Sequence, residues 1–154
     1  MQFTIPGKPE PQLRPRAVRM GNGIRMYDPK KTKDYKIFVS FIAKQHAPKI
    51  LLEGALFVEL KIYRQIPKRT SKKDRALMFE GIKRPITKPD TDNYTKAILD
   101  ACNGIIYKDD SQVVKLIAHK YYSDDPRVEI TVEEMWEESF HENKICHKRV
   151  SRER

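Results

Sequence analysis

The feature that most constrains the fold of this chain is a strict alternation of apolar side chains over residues 55–64. Every second residue there is aliphatic: Leu56, Val58, Leu60 and Ile62. Successive side chains of a strand point to opposite faces, so the segment predicts a strand with one buried face. Such a strand needs neighbouring strands beside it and a second layer covering its apolar face. A sheet packed against helices is therefore expected.

Residues 92–102 have the spacing of an amphipathic helix. Their apolar residues recur at i, i+3, i+4 and i+7, namely Tyr94, Ala97, Ile98 and Ala101. Asn103-Gly104 follows directly, and glycine is a common stop because it adopts the left-handed conformation without a Cβ clash. This segment therefore predicts a helix with one buried stripe.

Weaker patterns predict the remaining elements. These are a strand at 1–5, a hairpin around 21–23 inside the loop 6–29, a helix over 31–47, a short helix within 70–80, and strands at 113–122 and 127–135. The turn composition of residues 123–126 predicts that the last two strands pair as an antiparallel hairpin. The element order predicts one α/β domain of the α+β type over residues 1–136, a small mixed sheet flanked by helices.

The sign of the charge reverses at Asp90. Residues 1–89 contain 21 Lys or Arg and 7 Asp or Glu, whereas residues 90–142 contain 5 and 13, and the whole chain carries a net charge of +10. The densest basic stretch is 61–88. A basic surface attracts polyanions, of which nucleic acid is the commonest. A surface that is charged only for solubility is the alternative reading.

Several classes of protein do not fit the composition. No stretch reaches 18 consecutive apolar residues, so no membrane span is expected. The N-terminal residues lack a signal-peptide pattern, and the two cysteines suit a reducing compartment, so we expect a cytoplasmic protein. Cys102 is small and apolar enough for the core. The charged residues 137–154 predict a helical extension or a disordered tail.

Two aspartates stand at the predicted start of the helix over 92–102. Pro89 disfavours helix in the residue before it, so the chain arrives extended and the side chains of Asp90 and Asp92 point the same way. Lys96 follows Asp92 by one helical turn and lies on the same face. Two carboxylates and an ammonium are thus expected within one small region.

A second acidic pair, Asp109-Asp110, lies in the loop that returns from this helix to the sheet. A loop in that position can bring a third carboxylate to the first two. Carboxylates that converge remain ionised together only beside a cation, and oxygen ligands favour Mg²⁺ or Mn²⁺. Such an ion beside a basic surface suits phosphodiester hydrolysis. The alternative is structural, because aspartate also caps helices and favours turns.

Three motifs follow one another here: Pro-Asp-Thr-Asp-Asn-Tyr-Thr-Lys at 89–96, Leu-Asp-Ala-Cys-Asn-Gly at 99–104 and Asp-Asp-Ser-Gln-Val at 109–113. In this order they resemble the signature of the RusA family of Holliday junction resolvases. The opening segments at 5–9, 14–16 and 27–32 are similar to the phage and prophage branch of that family. The resemblance covers about residues 1–135.

The resemblance implies a homodimeric, Mg²⁺-dependent endodeoxyribonuclease, in which Mn²⁺ can substitute. Such an enzyme resolves four-way DNA junctions by paired symmetric nicks, in recombination and repair. The resemblance assigns catalysis to Asp90, Asp92, Lys96 and Asp110. The three aspartates are the implied metal ligands, with Asp109 as a further candidate. It gives no role to Asp100.

Ten basic residues are candidates for contacts to DNA phosphates: Arg14, Arg16, Lys30, Lys31, Lys68, Arg69, Lys72, Lys73, Arg84 and Lys88. Two other functions remain open. The first is a noncatalytic protein of the same fold that binds branched DNA without cleaving it. The second is a structural protein whose acidic cluster holds a stabilising ion, although that reading gives the basic stretch 61–88 no use.

Overall fold

The computed structural model describes residues 1–135. In chain order the elements are β1 (Gln2–Pro6), β2 (Arg16–Met20), β3 (Gly23–Tyr27), α1 (Lys30–Gln45), β4 (Leu56–Gln65), α2 (Lys72–Phe79), α3 (Thr91–Cys102), a 3₁₀ turn (Asp110–Gln112), β5 (Val113–Ser123) and β6 (Arg127–Glu134). No helix in this part of the chain is long and apolar enough to cross a bilayer. The prediction for residues 137–154 lies outside the described residues.

The main sheet has four strands in the order β1-β6-β4-β5. β4 pairs in parallel with β5 on one side and antiparallel with β6 on the other, and β6 pairs antiparallel with β1. The four aliphatic side chains predicted to face the core from β4 are all fully buried. The fold is therefore mixed α+β, as the sequence predicted.

The core lies between this sheet and a layer formed by α1 and α3, which pack against each other. Val39 of α1 and Ile98 of α3 are both fully buried there. The Tyr107 hydroxyl donates to the Leu99 carbonyl at 3.1 Å, so Tyr107 belongs to the core. Cys102 is also buried, as predicted, and burial raises the pKa of its thiol to about 12. The apolar stripe of α3 thus belongs to the core that the helices share with the sheet.

The predicted hairpin between the last two strands is wrong. β5 and β6 do not pair with each other, because β4 lies between them. Residues 123–126 do reverse the chain, but they cross the end of β4, so that β6 pairs with the other side of β4 and not with β5. The inward face of β4 is entirely apolar, so the central position, with a strand on each side, buries it best.

The other predicted elements are present, with boundaries that differ from the prediction by at most two residues. α3 ends as predicted, with Asn103 as the C-cap and Gly104 at φ 69°. The predicted hairpin around 21–23 forms a separate two-stranded sheet of β2 and β3.

Candidate active site

The N-terminus of α3 presents acidic side chains that the helix does not use. Asp90 is the N-cap residue with extended backbone, yet its carboxylate makes no capping hydrogen bond. Asp92 stands in the first turn, and both side chains are exposed. The positive end of the helix dipole favours negative charge at this position. The structure therefore leaves both carboxylates available, and the capping alternative does not account for Asp90.

An open depression of about 420 Å³ lies between α3 and the edge strand β5. Asp92 and Lys96 enter it from α3, and Asp110 enters it from the 3₁₀ turn. Leu116 and Ala118, on the helix-facing side of β5, also line it. Leu116 is 45% exposed, whereas its partner Val58 on β4 is fully buried, so the helical layer covers β4 more fully than β5. The uncovered edge of the sheet is what creates this space.

The structure brings three of the four predicted catalytic residues into this depression: Asp92, Lys96 and Asp110. Asp90 does not line it, although the next residue, Thr91, does. Within residues 1–135 no three His, Cys, Asp or Glu side chains are grouped closely enough to form a metal site. Metal binding by Asp90, Asp92 and Asp110 therefore stays a prediction.

The neighbours Asp109 and Asp110 have different surroundings. Asp109 caps the 3₁₀ turn: its carboxylate accepts from the Ser111 backbone N–H at 3.2 Å, and the Gln112 side chain accepts from the Asp109 N–H. Hydrogen bonds from Ser111 hold the pKa of Asp109 below its usual value. Asp110 has no side-chain hydrogen bond or ion pair within the described residues. The carboxylate of Asp109 thus stabilises the turn, whereas Asp110 lines the depression.

Lys96 is held loosely at the rim. Its ammonium lies 4.0 Å from one Asp100 oxygen, and the side chain is 64% exposed. The other Asp100 oxygen accepts from Lys36 of α1 at 2.9 Å, and Lys36 also contacts Asp28 at 3.2 Å. Burial lowers the pKa of Lys36, but its hydrogen bonds to these two carboxylates raise it more. Asp100 therefore joins α3 to α1, and the charge of Lys96 stays accessible.

Two basic residues that the sequence analysis did not single out hold the segment before Asp90. Arg64, on β4, donates to the Thr87 carbonyl at 3.1 Å. Lys120, on β5, donates to the Pro89 carbonyl at 3.2 Å. Lys120 pairs with Ile62 in the β4–β5 register and so shares the helix-facing side of the sheet. In the sequence, both residues continue the inward alternation of their strands, Arg64 two residues after Ile62 and Lys120 two residues after Ala118.

Comparisons with known proteins identify the family of this chain. The family model described as endodeoxyribonuclease RusA matches residues 6–133. This chain belongs to the RusA family. The uncharacterized protein YqaN of Bacillus subtilis (strain 168) is 44% identical over 137 residues, which cover 88% of this chain and 96% of YqaN. The family to which the motifs were compared is thereby confirmed, and it is a family of endodeoxyribonucleases, hydrolases that cut DNA.

A RusA-family protein needs a surface for DNA, and all ten predicted phosphate-contact residues are exposed. Two of them also have partners within the protein. Lys31 lies 2.9 Å from a Glu10 oxygen. The guanidinium of Arg84 donates to the Gly81 carbonyl and lies 4.4 Å from the centroid of the Tyr121 ring. Exposure is necessary for a phosphate contact, and the contacts themselves stay predictions.

Proposed function

We propose that this RusA-family protein resolves four-way DNA junctions by metal-dependent hydrolysis of phosphodiester bonds. The observation that carries the proposal is the depression lined by Asp92, Lys96 and Asp110. This reaction requires carboxylates that the protein does not neutralise, close to an accessible ammonium such as that of Lys96, and a basic protein surface for DNA. Membership in an endodeoxyribonuclease family supports the same reaction.

The donor set fits Mg²⁺, with Mn²⁺ as a substitute. Asp92 and Asp110 offer oxygen atoms only, and no thiol or imidazole lines the depression. Asp92 and Asp110 would hold the ion, with Asp90 as the third ligand from the N-terminus of α3. A bound divalent ion lowers the pKa of its water and polarises a phosphoryl oxygen. Lys96 is placed to offset negative charge that develops on the phosphate.

Paired symmetric nicks require two sites, and the proposed site occurs once in the described part of the chain. We therefore propose a homodimer, whose two-fold axis matches the two-fold symmetry of a four-way junction. The basic residues would neutralise phosphates on the junction arms. Recombination and repair are the processes in which such junctions require resolution.

A noncatalytic junction-binding protein is the second candidate. It is favoured by the observation that no three acidic, His or Cys side chains within residues 1–135 are grouped as a metal site. The two candidates share the basic surface and differ only in cleavage. A single experiment can therefore separate them.

The experiment measures cleavage of a labelled four-way junction, with linear duplex as the substrate control, in Mg²⁺, in Mn²⁺ and in EDTA. Asp92→Asn and Asp110→Asn are compared with the wild type and with Asp124→Asn, which removes an acidic residue remote from the depression. Junction binding is measured in parallel. We expect paired nicks that need the metal and vanish in the first two variants, while binding persists. Tight binding without cleavage in either metal would favour the noncatalytic candidate.

A further inference from the structure

The β2–β3 hairpin is the most exposed element of the described chain. All ten residues of its two strands are exposed to solvent. Beyond marginal contacts, β2 and β3 pack only on each other. An isolated two-stranded hairpin is at best marginally stable in water. The hairpin can therefore bind a partner without disturbing the packing of the core.

The exposed side chains of the hairpin are large and apolar to an unusual degree. Ile24 is 76% exposed, Met20 60% and Met26 58%. Met20 stands directly before the turn at 21–22 and pairs with Gly23, and Ile24 is the next residue, so both lie near the tip of the hairpin, on opposite faces. Apolar residues concentrated at an exposed tip indicate a contact surface for a partner.

The charge of the hairpin identifies the kind of partner. Residues 11–27 contain four arginines, Arg14, Arg16, Arg19 and Arg25, and no acidic residue. In the register of the hairpin, Val18 pairs with Arg25, and Arg19 pairs with Ile24. Because these pairs alternate between the faces, each face carries both an arginine and an aliphatic side chain. The core of a protein–protein interface is depleted of charge, whereas a polyanion matches this pattern.

We propose that residues 16–27 form a β-ribbon arm that enters a groove of branched DNA. The arginines contact phosphates, and Met20 and Ile24 at the tip wedge against the base pairs that unstack at the crossover. A two-stranded ribbon fits the major groove of DNA. Apolar wedges that unstack base steps are a known device of proteins that bend DNA. This inference rests on the proposed function and names the element that distinguishes a junction from a duplex.

The test uses a four-way junction with 2-aminopurine at the crossover. All proteins carry Asp110→Asn, so that binding is measured whether or not the protein cleaves. We expect Met20→Ser/Ile24→Ser to lower junction affinity by about tenfold and to abolish the fluorescence rise on binding, with duplex affinity nearly unchanged. The matched control is Ile50→Ser, an aliphatic residue 78% exposed elsewhere on the surface.

A second arm of the test addresses the arginines. Arg16→Gln/Arg19→Gln/Arg25→Gln should reduce the salt dependence of junction binding by about three phosphate contacts, while Lys49→Gln should leave it unchanged. Unchanged junction affinity and fluorescence in the tip variant would overturn the proposal. Loss of the dimer in the tip variant, measured by light scattering, would overturn it too, because the hairpin would then be a subunit interface. If the wild type does not cleave the junction but the binding results are as expected, the proposed function is contradicted and the proposal for the hairpin is not.

Discussion

The two ends of β5 carry the same pair of residues in different surroundings. Residues 109–110 precede the strand, and residues 124–125 follow it; both are Asp-Asp. At the far end, Asp124 forms an ion pair with Arg75 at 2.5 Å. At the near end, Asp110 lines the depression with no hydrogen-bond or ion-pair partner in the described chain. The two ends therefore differ in whether neighbouring residues neutralise the carboxylates.

The comparison shows how a structural aspartate is separated from a functional one. An acidic pair in a turn is explained by turn chemistry when its carboxylates receive protein hydrogen bonds or cations. Asp109 and Asp124 meet that condition. Asp110 does not, and it shares its depression with Asp92 and Lys96. The functional assignment therefore rests on the uncompensated charge and not on the motif alone.

The largest expected effect comes from removing that charge. Asp110→Asn should lower the single-turnover rate of junction cleavage by about 100-fold or more, because a metal ligand is lost. Asp124→Asn, the same change at the other end of β5, should stay within about twofold of the wild type. Rates are measured on a labelled junction at saturating protein. Equal losses of cleavage rate in Asp110→Asn and Asp124→Asn would contradict the functional difference between the two ends of β5.

Removal of the ammonium at the rim should have the next largest effect. Lys96→Met should lower the cleavage rate by about 10- to 100-fold with little change in junction affinity, since one charged contact to the reacting phosphate is lost. Lys44→Met, on the exposed surface of α1, is the matched control. A variant that cleaves normally but binds weakly would make Lys96 a DNA-binding residue instead.

Lys120 should have a smaller, indirect effect. Lys120→Met removes the hydrogen bond to the Pro89 carbonyl and loosens the segment before Asp90. We expect a fall in kcat of about tenfold with KM nearly unchanged, as for a lost positioning contact. Lys115→Met, on the same strand but lying over the Phe57 ring, serves as the control. Equal effects of the two changes would indicate that only the charge of the strand matters.

The smallest effect concerns the far end of β5. The Asp124–Arg75 pair is exposed on both sides, so it should contribute less than about 1 kcal/mol to the free energy of unfolding. A double-mutant cycle of Asp124→Asn and Arg75→Met in urea measures the coupling, with and without 1 M salt, where about a 3 Å Debye length screens exposed charges. A coupling well above that value, or one insensitive to salt, would contradict the description of this end as an ordinary surface turn.

Local sequence patterns predicted the helices and strands well, but they could not predict which strands pair across long stretches of sequence. The periodicity of α3 and the alternation of β4 lie within single segments, so both were predicted correctly. The neighbour of β5 depends on where the distant β4 inserts, and nothing in residues 113–135 specifies that. The hydrogen bonds of Arg64 and Lys120 were missed for the same reason, because their acceptors lie 23 and 31 residues away.

The candidate site was predictable to a similar degree. Asp92 and Lys96 were placed together because they lie one turn apart on a helix. Asp110 could be chosen over Asp109 from the resemblance, and the structure supplies the physical reason, which is the capping of the 3₁₀ turn by Asp109. The position of Asp90 outside the depression could not be foreseen, because it depends on how the segment 87–89 is held against β4 and β5.

The most direct test of the central claim is Mn²⁺ binding followed by electron paramagnetic resonance. Wild type, Asp92→Asn, Asp110→Asn and Asp124→Asn are titrated with Mn²⁺ in the presence of linear duplex, which supplies phosphate without a crossover. The uncompensated carboxylates predict that the wild type and Asp124→Asn bind the ion alike and that the other two variants lose it. If Asp110→Asn binds Mn²⁺ as tightly as the wild type, or if Asp124→Asn loses Mn²⁺ binding, the assignment of the metal site to the Asp110 end of β5 is contradicted.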